Sequence, residues 1–266
     1  MSFVLAVFIA VPAIAPAVGQ GVLYIADWRM IFVVLLSLGT IAFIWFYLRQ
    51  EETLTKENRL KFSFANLRKK LKEIITIRST IAYTLAAGFI SSAFVGFLNS
   101  SQQVFQIQFG LGERFPIYFA AIALSVGLAS FVNGKLVMRY GMQKMVRSAA
   151  LSIVVISIIF YGLINTMIVT PSLTFFMMYL LSTVFFVGIL FGNLNSMAME
   201  PLGHMAGIGA AIVGSVSTFI SVPFGTYIGM QYNGTVEPMV MGVLVFGSLT
   251  ALSIFFAKGR KVTTHN

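Results

Sequence analysis

The chain has 266 residues, 58% hydrophobic and 10% charged, with a formal charge of +10 and no cysteine. A soluble chain carries about a quarter charged residues, so lipid is the solvent for most of this one, and disulfides and thiolate metal sites are excluded. With two histidines and no H-E-x-x-H, P-loop or G-x-S-x-G pattern, little is available to build a catalytic or metal site. No enzyme and no cofactor is expected.

A membrane span needs about 20 mostly apolar residues. Eight stretches qualify: 3–25, 30–48, 79–99, 115–134, 147–166, 173–196, 205–228 and 238–257. None carries Asp, Glu, Lys or Arg near its centre. Lipid offers the backbone no hydrogen bonds, so all eight are predicted to be helices. The alternating pattern of a membrane barrel strand is absent. The predicted fold class is therefore all-α, a polytopic membrane helix bundle of eight transmembrane helices.

In the first stretch, Ala15-Pro16-Ala17 mimics a leader cleavage site. No Lys or Arg precedes Arg29, however, and the apolar run continues past the supposed cut, so a span is the better reading. Pro16 lacks a backbone donor and kinks a helix. Ala15 and Gly19, with Ala13 and Ala17, would let another helix approach closely.

The segment 49–78 is a basic linker. Within it Leu60, Phe64, Leu67, Leu71 and Ile74 recur at steps of four and three, which places them on one helical face. Basic residues fall mainly elsewhere. Such a helix suits anionic lipid headgroups, and it equally suits a solvated tether. Near the end of the third span, Asn99, Ser100, Ser101, Gln102, Gln103 and Gln106 form an uncharged polar cluster. It would line a substrate path or mark a wet helix end.

Asn193 and Asn195 lie late in an apolar span, where an unpaired amide is costly. They should face the bundle interior, to bond another helix or to touch substrate. Glu200 precedes Pro201, which suits a helix start, and His204 follows at the same membrane edge. In the seventh span, Gly203, Gly207, Ala211 and Ser215 recur every four residues, beside a second row of Ala206, Ala210, Gly214 and Thr218. That broad small face predicts close helix packing.

Basic residues alternate along the chain. The segment 49–78 holds nine of the 18 Lys and Arg, 134–147 holds four and the tail three, while the opposite connections carry only Arg29 and Arg114. The positive-inside rule then makes both termini cytoplasmic. The charge reads as a topology signal, and no nucleic acid is expected as a partner. The linker splits the spans into two and six. Six make one whole half of the many transporters built from two six-span halves, each half two three-span repeats.

Several stretches resemble the major facilitator superfamily, specifically its drug:proton antiporter branch of the Bcr/CflA type. The opening PAIAPAVGQGVLYIADWRMIF resembles that branch's fifth-helix signature, with Ala15, Pro16 and Gly19 followed by Trp28-Arg29 and Phe32. Gln20 stands where a second Gly is usual. Glu52-Thr53-Leu54 resembles the end of the sixth helix. YTLAAGFISSAFVGFLNSSQQVFQIQFGL resembles the seventh, with Ser101-Gln102 in place of Ser-Pro. Gly134, Arg139 and Gly141 resemble the second-half cytoplasmic loop motif Gly-x-Leu-x-Asp-Arg-x-Gly, in which Met138 replaces the Asp. GNLNSMAMEPLGHMAGIGAAIVGS resembles the tenth–eleventh helix boundary.

The resemblance covers nearly the whole chain in order and places Met1 at the start of the fifth of twelve helices. It implies residues 1–48 as the last two helices of an N-terminal half, 49–78 as the linker, 79–257 as a complete six-helix C-terminal half and 258–266 as a cytoplasmic tail. It further implies a bacterial inner-membrane exporter, a monomer at full length, that exchanges an unidentified small-molecule, drug-like substrate for protons. The polar candidates Asn99, Ser101, Gln103, Asn193 and Asn195 are assigned to the substrate path, and Ala15, Pro16 and Gly19 to a helix-packing motif that governs conformation. The alternative is a transport-incompetent membrane fragment or subunit that needs a separate four-helix partner. No titratable group lies at mid-membrane, so proton coupling by this chain alone is not expected.

Overall fold

A computed structural model describes residues 14–15, 18–51, 63–166 and 171–257. Most of the first predicted stretch, Pro16 and Ala17 of the packing motif, Leu60 of the linker and the whole tail lie outside them. The described residues are helical throughout and include no strand. Beyond a helical run at 18–25, we name eight helices: α1 (Arg29–Arg49), α2 (Phe64–Thr76), α3 (Arg78–Gln102), α4 (Phe115–Tyr140), α5 (Met142–Asn165), α6 (Leu173–Met199), α7 (Ala206–Met230) and α8 (Glu237–Phe256).

Among the described residues, six helical stretches are long and apolar enough to cross a membrane, so the expected eight spans are not all seen there. One of them, Leu173–Met230, runs for 58 residues. Straight, it would extend about 87 Å, nearly three bilayer cores. It is instead broken by the 3-10 turn Glu200–Met205, where Leu202 leaves helical geometry. Pro201 opens this turn, where its missing N–H costs nothing. The chain breaks there between α6 and α7, and both helices pack on α3.

The basic segment 134–147 differs from the sequence expectation. It is no loop: α4 continues to Tyr140 and α5 resumes at Met142, with Gly141 alone between them at φ +77°. A glycine carries that left-handed geometry without a Cβ penalty. Lys135, Arg139, Lys144 and Arg147 therefore extend from helix ends.

Helix α3 is the centre of the bundle, packed against α6, α7 and α8. Helix α5 packs on α6 and α8, and α4 on α6. Exchanging α3 with α6, α4 with α7 and α5 with α8 maps this set of neighbours onto itself, as expected for two three-helix repeats. Two cores result. Toward the basic end, where α2 and the α6–α7 turn lie, the core is aliphatic and small, with Ala86, Ala149, Ile153, Leu194 and Leu202. Toward the far end it is aromatic, with Phe97, Phe105, Phe160, Phe176 and Tyr179. Phe160 stacks on Tyr179 at 4.3 Å and on Phe175 at 4.8 Å between ring centroids.

The two ends of the chain order behave differently. Helix α1 buries none of its residues. Helix α3 buries small residues at every fourth position, Gly88, Ser92, Gly96 and Ser100. Gly88 and Gly96 of α3 lie against Ile220 and Ile228 of α7, and Gly225 and Gly229 of α7 lie against Val95 and Asn99 of α3. A Cβ at Gly96 would stand 2.7 Å from Ile228 Cδ1, and one at Gly225 would stand 2.5 Å from Val95. Each helix seats side chains on the other's glycines, which lets the two backbones approach closely.

Candidate functional site

The far end of α3 carries most of the polar candidates. Past Gln102 the helix widens into a π-helical segment, Gln103–Gln108. Such insertions re-aim side chains and often mark functional sites. Asn99 is exposed at the edge of the α3–α7 contact, with Gly229 giving it room. Ser101 is buried and donates to Leu98 O of its own helix at 2.8 Å. Gln103 is half-buried, and its backbone oxygen accepts a bond from Tyr232 Oη at 3.3 Å.

The side-chain oxygens of Gln103 and Gln108 are buried without a hydrogen-bond partner. A buried acceptor left unpaired costs about 1–3 kcal/mol. The segment thus offers two uncharged acceptors to whatever donor reaches it. Gln102 and Gln106 bond each other on the exposed side at 3.3 Å. Gln108 and Tyr232 were not among the sequence candidates; the signal for Gln108 was its i+5 spacing from Gln103, which only a π turn stacks.

The two asparagines of α6 separate. Asn193 is buried, 5% exposed. Its Nδ2 donates to Asn133 Oδ1 at 2.7 Å and to Ile189 O at 2.8 Å, and Asn133 Nδ2 reaches back to Asn193 Oδ1 at 3.4 Å. Its amide thus makes an interhelical bond to α4. Asn133, its partner, was missed, although an amide in FVNGK after 17 apolar or small residues signals it. Asn195 is exposed on the opposite side of α6, beside Gly192 and Ser196.

The small face read on the seventh span needs correction. Gly203, Ala206, Gly207, Ala210, Ala211, Gly214, Ser215 and Thr218 are all exposed, and nothing lies within 4 Å of a Cβ built at Gly203, Gly207 or Gly214. The row that packs is Gly209, Val213, Ser221, Gly225 and Gly229. Both faces have small residues, and α3 fills one.

Gly134 is exposed in α4, and Arg139 is exposed with its guanidinium 5.3 Å from the Tyr140 ring. Met138, in the place of the motif's Asp, is 88% exposed. Arg139 pairs with no carboxylate among the described residues. Of the packing motif, Ala15 is exposed and a Cβ at Gly19 would meet nothing within 4 Å. His204 sits in the α6–α7 turn, its Nε2 2.9 Å from Glu73 Oε1 of α2. This bond holds the Glu73 carboxyl below the usual carboxylate range, with Lys70 at 3.7 Å helping. Helix α2 is docked here by Ile74, which is fully buried. Leu71 and Ile75 of the expected lipid-facing helix stay exposed.

Long apolar helices in two permutable three-helix units fit the repeat architecture of membrane transporters. Residues 1–226 match the family model of the Major Facilitator Superfamily. The chain belongs to that superfamily. Its members are transporters and not enzymes, and this chain is an integral membrane protein by family and by its apolar helices.

Among its relatives, an MFS-type transporter, YdgK, of Bacillus subtilis (strain 168) is 25% identical over 258 residues, covering 96% of this chain and 63% of its own length. The bicyclomycin resistance protein homolog of Haemophilus influenzae is 25% identical over 266 residues, covering 98% and 65%. The multidrug transporter MdfA of Yersinia pestis is 27% identical over 146 residues, covering 51% and 35%. The chain therefore spans less than two thirds of the length of these relatives. The last two names fall in the drug-exporting branch that the motifs resemble.

Proposed function

We propose that this chain forms the C-terminal half and the adjoining two helices of a twelve-helix, proton-coupled drug exporter of the inner membrane, eight spans in all, with both termini cytoplasmic. The observation that carries this reading is α7. One of its small faces is closed on α3 and the other is open. In a lipid-solvated bundle, small faces exist to admit another backbone. The relatives' greater length leaves room for the helices that would cover it. Alternating access would be one half rocking on the other around a midplane site. Asn99, Ser101 and Gln103 at the far end and Asn195 near the basic end would line two ends of a path along this half, and Asn193 would hold its frame.

An uncharged lining of amide acceptors suits a drug-like substrate that donates hydrogen bonds. Coupling to protons needs a carboxylate or histidine that water reaches from either side. No Asp, Glu or His lies in the middle of helices α1 or α3–α8. The coupling group would then sit in helices supplied by the rest of the transporter.

The second reading, a subunit silent without a separate four-helix partner, is favoured by α1, which buries none of its residues. One experiment tests both. The chain in proteoliposomes should show no pH-gradient-driven uptake of a cationic dye, and co-expression with the first four helices of a relative should restore it. Gradient-driven uptake by the chain alone would refute the missing-group argument. No uptake in the co-expressed pair would refute the exporter reading.

A further inference from the structure

A cleft of about 460 Å3 opens at the basic end, between the end of α2 and helices α3 and α8. Its walls are graded. Ile81, Leu85 and Phe256 make an apolar side, and Arg78, Thr76 and Ser253 stand at the mouth. Phe256 is 64% exposed and the adjoining Ile75 is 55% exposed, so the apolar side lies open.

Arg78 is the only charged group among the described residues of the lining. Its Nε donates to Phe256 O at 3.0 Å, at the C-terminal end of α8. A guanidinium has five N–H donors, so four remain on the Nη atoms. No carboxylate among the described residues pairs with them. Thr76 and Ser253 donate to Glu73 O at 2.7 Å and Leu249 O at 2.8 Å. Among the described residues of the lining, Arg78 is the group that can recognise an anion by charge. Carbonyl capping accounts for one donor of Arg78, and leaves the open apolar cleft beneath it without an occupant.

We propose that this cleft holds one anionic phospholipid, its phosphate on the Arg78 guanidinium and one acyl chain against Ile81, Leu85 and Phe256. A cation above an open apolar groove between membrane helices matches a lipid's own division into headgroup and chain. At ~30 Å3 per water-sized group, the volume takes roughly fifteen such groups, in keeping with one chain and not two. The larger cavity, between α7 and α8 at the far end, has no charged residue in its lining and offers an anionic headgroup nothing. The proposal rests on the topology given above, which puts Arg78 at the cytoplasmic leaflet, and it names a site for the anionic-lipid partner.

Native mass spectrometry of the purified chain, given equimolar phosphatidylglycerol and phosphatidylcholine with identical acyl chains, tests it. Both lipids carry the phosphate that Arg78 would bind, but the choline cation of phosphatidylcholine cancels its net charge, so phosphatidylglycerol adducts should exceed phosphatidylcholine adducts about fivefold, the worth of one basic residue against anionic lipid. Arg78→Gln should bring the two lipids to parity, and Arg78→Lys should keep part of the preference. Leu85→Trp should reduce phosphatidylglycerol retention with the charge intact. Millimolar glycerol phosphate should not displace the lipid.

Parity in the unaltered chain, or a preference that survives Arg78→Gln, overturns the proposal. Displacement by glycerol phosphate, or retention unchanged in Leu85→Trp, overturns the acyl-chain groove. Labelling of Asn233→Cys with an impermeant reagent from outside the cell scores the topology separately. With that topology upheld, a failed lipid preference removes this site alone.

Discussion

The two small faces of α7 carry similar residues and meet different fates. Gly225 and Gly229 lie against Val95 and Asn99 of α3, so close that a Cβ would stand 2.5–2.6 Å from its neighbour. Gly207 and Gly214 have nothing within 4 Å. A pattern of small residues thus records that a helix approaches, without saying which one or whether it belongs to the same bundle. The closed face stabilises this half of the molecule; the open face is the side on which we place the rest of the transporter.

The largest expected effect breaks the closed face. Gly225→Leu should force α3 and α7 apart, costing about 1–3 kcal/mol or more and lowering the thermal unfolding midpoint in detergent. Gly214→Leu, on the open face of the same helix, should leave that midpoint unchanged. Equal effects at the two positions would erase the distinction between the faces. The converse experiment sharpens it: Gly207→Leu should be silent in the isolated chain and should abolish dye transport in the pair reconstituted with four further helices.

The asparagine pair makes an intermediate test. Asn193→Leu leaves Asn133 with an unpaired amide beside α6 and should destabilise the bundle by about 1–2 kcal/mol. In a double-mutant cycle, adding Asn133→Leu should cost less than its single effect, because both ends of one contact are then gone. If Asn193 touched substrate instead, transport would fall in the reconstituted pair while the coupling energy vanished.

The smallest effect lies at the exposed contact of α2 with the α6–α7 turn. Glu73 has a lowered carboxyl value in the docked state, so its contribution to docking is present above the ordinary carboxylate value near 4.3 and is lost as pH falls through the lowered one. A spin-label distance between α2 and the turn should therefore hold at neutral pH and lengthen only in acid, below the ordinary carboxylate range. Glu73→Gln should remove the acid transition. Lengthening already at neutral pH in the unaltered chain would show that Ile74 and this pair do not hold α2.

The positions of the long apolar helices were legible in the sequence, because lipid imposes helix on any run that apolar. So was the helix start at Pro201, and so was the family, from motifs in fixed order. The basic segment 134–147 was misread as a loop: Lys and Arg on helix ends and in loops look alike, and Gly141 alone turns the chain. The row Gly88, Ser92, Gly96 and Ser100 was present in the sequence, yet its partner row on α7 became identifiable only once α3 lay beside it.

By itself, the sequence determined that this protein lives in a membrane, that its spans are helical, and which superfamily it belongs to. These follow from residue-by-residue transfer to lipid and from local motifs. Only the tertiary structure decided which face of α7 is closed, that Asn193 is bound to Asn133, and that Arg78 stands over an open apolar cleft. Those depend on which helix comes to lie against which, and the apolar, nearly structureless periodicity of a membrane helix does not encode its neighbour.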